Sequence, residues 1–497
     1  DRAKNRTITW FADFSLDTQN GGESPAALSL FRDYYGGEVN YVHVNADEKY
    51  SMLEYLLLCG DPIDMFPYDE TAMPEGVVKE LFDPLDPYFD IMGVNDGLWD
   101  DMKNVIDEFE YNGVHYVMPY DVSDPQLIMY SRKLVKKEKL DDPYKLYQEG
   151  KWDWDVMLDM MSKFVSNPDA DVKRYGIGGE FGEALLTSSG STVVNYENGE
   201  FTNNIGDKAI AEAEKLMKKI ADENLCNPNW HEYYPNDNST LFYAMGDWAL
   251  GMTNAKNAKK DIMVVPFPKN PDSDEHYIDC DYNARMLVKW SQNPEAVAAY
   301  IKCEKIAAQE EAYKQLEKKS LSVQEKDAYG KWKPFVTEEQ YDAVQSYLEA
   351  AKKVPLFDFS YGMGERSIVQ IAKLLPTLET NEASLYGTYA LLSQSREEAK
   401  KMDITLSADT LADSRTAQDI LESNYVAERI TRLAVGHDGL VSVVMKDTGK
   451  IVAHPDEGEI GKTLMVSPII GGDIINAERR TLATSVVNYR GIPDLDL

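Results

Sequence analysis

Short apolar runs alternate with amphipathic stretches over the first seventy residues. Thr7–Phe11 reads as a strand, Val39–Val44 as a second and Pro62–Phe66 as a third. Ser24 and Pro25 offer a cap and a first helical residue for a helix reaching Tyr35. Met52, Leu53, Leu56 and Leu57 mark another helix that ends near Gly60. Strand, helix, strand, helix, strand predicts a parallel sheet with helices on its faces. In such sheets ligands sit beyond the carboxyl ends of the strands, which points to Asp13, Asp17, Tyr68 and Asp69.

The pattern continues in the same alternation. His115–Tyr120 and Leu127–Ser131 read as strands. Asp153 is placed to cap a helix whose apolar face is Met157, Leu158, Met161, Phe164 and Val165. The charged stretch Ile210–Asn224 turns Ala213, Leu216, Met217 and Ile220 to one side. The stretch Leu241–Lys305 organises the remainder. It opens with the aromatic turn Phe242–Gly246 and the apolar Trp248–Met252, then gives a strand over Asp261–Phe267. Pro266 and Pro268 stop that strand, because proline cannot donate to a sheet ladder. Met286–Val288 follows, then a helix with Asn293 as N-cap, Pro294 in first position and Val297, Tyr300 and Ile301 as its buried stripe. Later pieces are a further extended pass at Val354–Phe357, helices through Tyr386–Lys401, a long helix over Asp409–Leu433 and a hairpin over Gly439–Pro455 that turns at Asp447–Gly449.

Three pieces in order, FYAMGDWALGM (242–252), IMVVPFP (262–268) and NPEAVAAYI (293–301), resemble the C-terminal half of the family 1 extracellular solute-binding proteins of ABC importers. Phe82–Tyr88, Trp152–Asp155 and Tyr175–Gly178 match further motifs of that family, and the resemblance covers residues 1–407. It implies an α/β, two-lobed periplasmic-binding-protein fold, type II-like, with discontinuous lobes and hinge crossings. Residues 1–120 with 286–350 would form one lobe, and 121–285 with 351–407 the other. It further implies capture of a small ligand, above all a carbohydrate, for an ABC permease by hinge closure. Such a protein works on the bacterial cell surface or in the periplasm, with a lipid anchor on the precursor. By family position the ligand-binding candidates are Asp13, Tyr68, Asp69, Tyr120, Asp247, Trp248, Tyr282, Asn283 and Arg285, with Tyr361 from the loop Ser360–Gly362. Aromatic faces pack on the C–H faces of sugars while carboxylates, amides and guanidinium bond the hydroxyls. The rival readings are a ligand-sensing ectodomain of a signalling receptor and an extracellular glycan-active enzyme. The long helix, hairpin, Ala453-His454-Pro455 and Ile460-Gly461-Lys462 of 409–497 resemble the extracellular Cache sensor domains. They cover only about the first half of a domain of roughly 100–150 residues.

Composition narrows this picture. A chain of 497 residues at 43% hydrophobic is long enough for two or more domains. A balance of 51 basic to 85 acidic residues, net −34, argues against nucleic acid as a partner. No run of about 18 apolar residues is present, and the polar start Asp1–Lys4 carries no signal-peptide pattern, as expected of a mature chain. Cys59, Cys226, Cys280 and Cys303 are too scattered for a zinc or redox motif and read as free thiols. No G-x-S-x-G, H-E-x-x-H, Walker loop or Rossmann glycine pattern occurs. The acid pairs Asp153/Asp155 and Asp279/Asp281 complete no calcium loop and read as chance pairs in so acidic a chain, and His454 reads as structural. The expectation is a binding protein, not an enzyme, with no cofactor and no metal.

Overall fold

The computed structural model describes residues 6–362, apart from 18–23, 169–171, 198, 205, 230–232, 236 and 258–260, and beyond them only five short strands between Thr405 and Asp496. The chain forms two compact units. One holds 1–43 and 64–405; the other holds 44–63 and 406–497. Residues 44–63 thus fall outside the unit that holds the rest of 1–120.

The first unit is built on a six-stranded and a four-stranded sheet. Thr7–Ala12 (β1) buries Ile8, Trp10, Phe11 and Ala12, and runs parallel to Glu38–His43 (β2) from Thr7↔Glu38 to Ala12↔His43. Met65–Pro67 (β3) lies parallel on its other side, with Trp10 opposite Met65. This is the parallel start that the alternation predicts. Phe82–Asp83 (β4) belongs to the same sheet, and a small hairpin, Glu110–Tyr111 (β5) with Val114–His115 (β6), precedes the long strand Val117–Ser123 (β7).

The chain then leaves for the second sheet. Its strands are Gln126–Ser131 (β8), Tyr175–Gly179 (β9), Thr240–Gly246 (β12) and Ile262–Pro266 (β13), in the order β13-β8-β12-β9, with Val194–Glu197 (β10) and Glu200–Asn203 (β11) as a separate hairpin. β9 has room only for glycine at its end. Gly179 has φ +89°, and a Cβ there would stand 2.0 Å from the Ala244 carbonyl oxygen of β12. Asp281–Val288 (β14) returns to the first sheet, antiparallel to β3, β4 and β7, so that sheet is mixed and not wholly parallel.

Helices seat themselves as their apolar stripes require, with two departures at the caps. Asp153 accepts from Val156 N at 2.9 Å and opens the helix Trp154–Val165. Asn293 does occupy the N-cap of Pro294–Gln309 but makes no capping bond, because its amide is drawn to Asp64. Asp64, 1% exposed, collects Thr9 N at 2.8 Å, Ser291 Oγ at 2.7 Å and the Gln292 and Asn293 amides at 3.2 Å. A buried carboxylate needs such a ring of donors. Ser24 likewise bonds Asp17, and Pro25 takes the cap position itself. In the helix Glu338–Ala351, Gln340 Nε2 donates to Ile262 O at 2.8 Å and Tyr347 OH to Val264 O at 2.9 Å, which ties it to β13 of the second sheet.

In the second unit, the helix Lys49–Cys59 ends at Gly60 in a left-handed cap. Val443–Val444 pairs antiparallel with Ile451–Ala453 inside the stretch where a hairpin is expected, and Ser485–Val486 pairs with Leu495–Asp496. The long helix expected over 409–433, the helices over 386–401, His454 and the Cache-like resemblance lie outside the described residues. The four cysteines are free.

Candidate functional site

Two strands carry the chain between the sheets side by side. β7 and β14 pair down to Ser123↔Asp281, with a bulge between Asn283 and Ala284. The pairing then passes to Gln126 N, which donates to Asp279 O at 2.9 Å as β8 begins, and Asp247 N reaches Pro125 O at 3.2 Å. A third pass follows the helix Glu338–Ala351. Its Lys352, 5% exposed, meets Asp121 of β7 at 2.7 Å and Glu349 at 3.1 Å.

A cavity of about 610 Å³ opens where these passes meet. This is within the size range of small-molecule sites. Its walls come from Pro67–Thr71 after β3, Ser123 and Asp124, Asp279–Arg285, Leu186 and Thr187, Ser191 and Thr192, and Leu356–Asp358 with Tyr361. Phe14 closes a corner, positioned by Trp10, whose Nε1 donates to Phe14 O at 2.8 Å.

One wall is aromatic. Phe109 is fully buried, with Tyr68 at 5.2 Å and Tyr282 at 5.1 Å edge to face, and Phe357 at 4.4 Å. Tyr282 OH donates to Leu356 O at 3.2 Å, which ties the third pass to β14. Burial holds the Tyr68 and Tyr282 phenols well above the usual range, helped by Tyr282 and Glu70 at Tyr68 and by Cys280 and Glu108 at Tyr282, so both remain hydrogen-bond donors. The lining is also acidic. Asp358 is committed to the Val193, Val194 and Ser360 amides, at 2.6, 3.1 and 2.9 Å, and Asp69 accepts from Thr71 N at 3.0 Å. Burial, then repulsion from Glu183 and Asp281, raises Asp279 to about 7, against a weaker pull from the Thr187 hydroxyl.

The sequence candidates fall into two groups. Tyr68, Asp69, Tyr282, Asn283, Arg285 and Tyr361 line the cavity; Asp13, Tyr120, Asp247 and Trp248 are not in its lining. Arg285 is committed elsewhere: its guanidinium lies 5.1 Å from both the Trp10 and Tyr120 rings and 2.8 Å from Glu304. Tyr120 therefore serves by clamping Arg285. Asp247 lies outside the lining and shares a hydrogen bond with Asp124. Burial, the Asp124 charge and Asp281 lift its carboxyl to about 7. Trp248, 57% exposed, folds its indole back over Gly246, where a Cβ would stand 2.4 Å from Nε1. Sequence patterns alone do not single out Phe14, Asp124, Thr187, Ser191, Thr192 or Phe357, and they leave Asp279/Asp281 as a chance pair. Only that acid pair carried a local signal. Among the described residues, no group of His, Cys, Asp and Glu could hold a metal ion, and no helix is long and apolar enough to cross a membrane.

The ABC substrate-binding protein Lmo0181 from Listeria monocytogenes, solved with cycloalternan, superposes with a TM-score of 0.50 at 17% identity, over 80% of this chain and 100% of its own. The galacto-N-biose-/lacto-N-biose I-binding protein of Bifidobacterium longum, solved with lacto-N-biose, gives 0.52 at 11% identity, over 82% and 100%. The sugar transporter RHE_PF00321 from Rhizobium etli, in an open conformation, gives 0.52 at 13%, over 78% and 99%. At such identities these likenesses establish the fold. No curated protein matches the sequence. The family model for bacterial extracellular solute-binding proteins matches residues 35–316, more than half of the chain. The chain belongs to the bacterial extracellular solute-binding protein family.

Proposed function

We propose that the protein captures a carbohydrate in the cavity between its sheets and delivers it to an ABC permease at the bacterial cell surface. The observation that carries this reading is the cavity itself, whose lining combines the aromatics Tyr68, Tyr282 and Phe357 with carboxylates and hydroxyls. Sugars present both an apolar C–H face and a rim of hydroxyls, and this lining offers a partner to each. The sugar-bound relatives named above support the same class. Asp69, Asn283 and Tyr361 are hydroxyl partners in this reading, while Arg285 with Tyr120 holds the floor and Trp248 meets the ligand from outside the lining. Two lobes, each organised on one sheet and joined by the three passes, close by bending at Asp124–Pro125 and Asp279–Asp281, since hinges concentrate in a few residues between rigid elements. The ligand leaves unchanged, as capture requires.

A screen of neutral oligosaccharides by thermal shift tests the reading, because a ligand that binds only the folded state raises the melting temperature. At least one glycan should stabilise the protein and compact it in small-angle scattering. Steady hydrolysis of the stabilising glycan, or no response across the whole panel, would sink the proposal.

A further inference from the structure

The cavity is short of positive charge. Its lining holds six carboxyl side chains, Asp69, Glu70, Asp124, Asp279, Asp281 and Asp358, and a single cationic one, Arg285. That guanidinium is 7% exposed, paired with Glu304 at 2.8 Å and enclosed by Trp10 and Tyr120, so its charge is already answered. Lys352, beside the crossing strands, answers Asp121 and Glu349 instead. Backbone amides occupy Asp358 and Asp69. Among the described residues, the ion pairs leave Asp124, Asp279 and Asp281 without a basic partner. These three come from two adjacent strand ends and share the lining of the cavity.

Neighbouring carboxylates in a partly desolvated space repel one another. Asp247, outside the lining, is raised to about 7 by burial and by the charge and hydrogen bond of Asp124. Asp279 faces Glu183, Asp281 and Glu70, and Asp247 faces Asp124 and Asp281. Every charged group among these neighbours is an acid. A neutral sugar would leave that repulsion in place, and an anionic one would add to it. An ammonium group would relieve it and donate up to three hydrogen bonds at once.

We propose that the carbohydrates this cavity selects carry a protonated amine, seated against Asp124, Asp279 and Asp281, and that acidic sugars are refused. This rests on the carbohydrate reading above and names the class within it. The charge logic also makes a prediction that the sugar reading does not. Because Asp247 and Asp279 are held near neutral pH by burial and by their acidic neighbours, an arriving cation releases protons from them.

The experiment is calorimetry of the full chain at pH 7 with a glucosamine trimer, its N-acetylated form, cellotriose, trigalacturonate and spermidine. Each titration is run in two buffers of different ionisation enthalpy. The amine trimer should bind at least tenfold more tightly than its acetylated counterpart, with proton release that the neutral sugars lack, and trigalacturonate should give no heat. The double variant Asp279→Asn, Asp281→Asn should bring the amine preference towards one. If that variant does not fold, proton release from the unmutated chain tests the same point. Equal binding of amine and acetylated trimers, or binding of trigalacturonate, overturns the proposal. Response to spermidine with silence from every sugar keeps the cation site and removes the carbohydrate reading. Silence from all five ligands overturns both.

Discussion

Replacing Asp64 by alanine should destabilise the first unit by about 4 kcal/mol, and the structure allows that figure to be built. Two of its hydrogen bonds are short: Thr9 N at 2.8 Å and Ser291 Oγ at 2.7 Å. Bonds to a charged acceptor contribute about 1.5–3 kcal/mol each. The Gln292 and Asn293 amides at 3.2 Å share the oxygen that Ser291 already uses, and Asn293 N has a second acceptor in Ser291 Oγ at 3.1 Å. They therefore add little. The short pair sets a total of about 3–6 kcal/mol, and relaxation of the two amides draws it to the lower half. Against a native stability of about 5–15 kcal/mol this is large. A chain of this size loses about 2 °C per kcal/mol, so scanning calorimetry should show the first transition near 8 °C lower. Asp64→Asn keeps the volume but trades one acceptor for a donor that faces donors, and should lose about half as much. A fall below about 2 °C for alanine would show that water replaces the carboxylate at no cost and would refute the reasoning.

Further outcomes follow from other sites. Trp248→Ala should leave the melting temperature within a degree or two, because an exposed side chain away from the core contributes within about 0.5 kcal/mol. If its ring meets the ligand, affinity falls by about 1–3 kcal/mol, read by calorimetry; a stability loss with unchanged affinity would assign it to packing. Gly179→Ala forces a side chain against the Ala244 carbonyl at positive φ and should cost about 3 kcal/mol or more, visible in urea unfolding. The pH dependence has a definite sign. Asp247 and Asp279 have folded-state values raised to about 7 above an ordinary 3.8, so the native state holds protons that the unfolded state has lost. Their contribution to stability is present below about pH 4 and is lost as pH rises to 7. The pair Asp247→Asn, Asp279→Asn should therefore melt higher than the native chain at pH 8 and lose most of that advantage as the pH falls to 4. A difference that does not change with pH would refute the assignment.

What the sequence disclosed was periodicity, and periodicity is local. Ile8, Trp10 and Phe11 announce a strand, and Met157, Leu158, Met161 and Phe164 a helix, because each pattern reports one face turned to a core. Asn293 reads as a capping side chain because nothing local reveals that Asp64, more than two hundred residues away, outcompetes the helix for its amide. The same blindness hides the cavity. Thr187, Ser191 and Thr192 reach it from the end of a short helix and the loop after it, and Phe357 from a connector, and neither stretch has a period to read. Arg285 was legible as a functional type of residue but not as one already paired with Glu304. The acid pair at 279 and 281 looks accidental in a chain with 85 acidic residues. Only the arrival of Asp124 and Asp247 from distant strands gives it company.

The division of the chain into two units has a consequence for anyone who wishes to take them apart. The polypeptide crosses from one unit to the other at 43/44, at 63/64 and again at 405/406. A gene fragment stopped at Thr405 is therefore not the first unit alone, since it still encodes the twenty residues 44–63 that group with the portion removed. Clean dissection takes two cuts and a splice, joining His43 to Asp64 through a short linker. A single stop codon would leave the helix Lys49–Cys59 behind as an orphan of the discarded half.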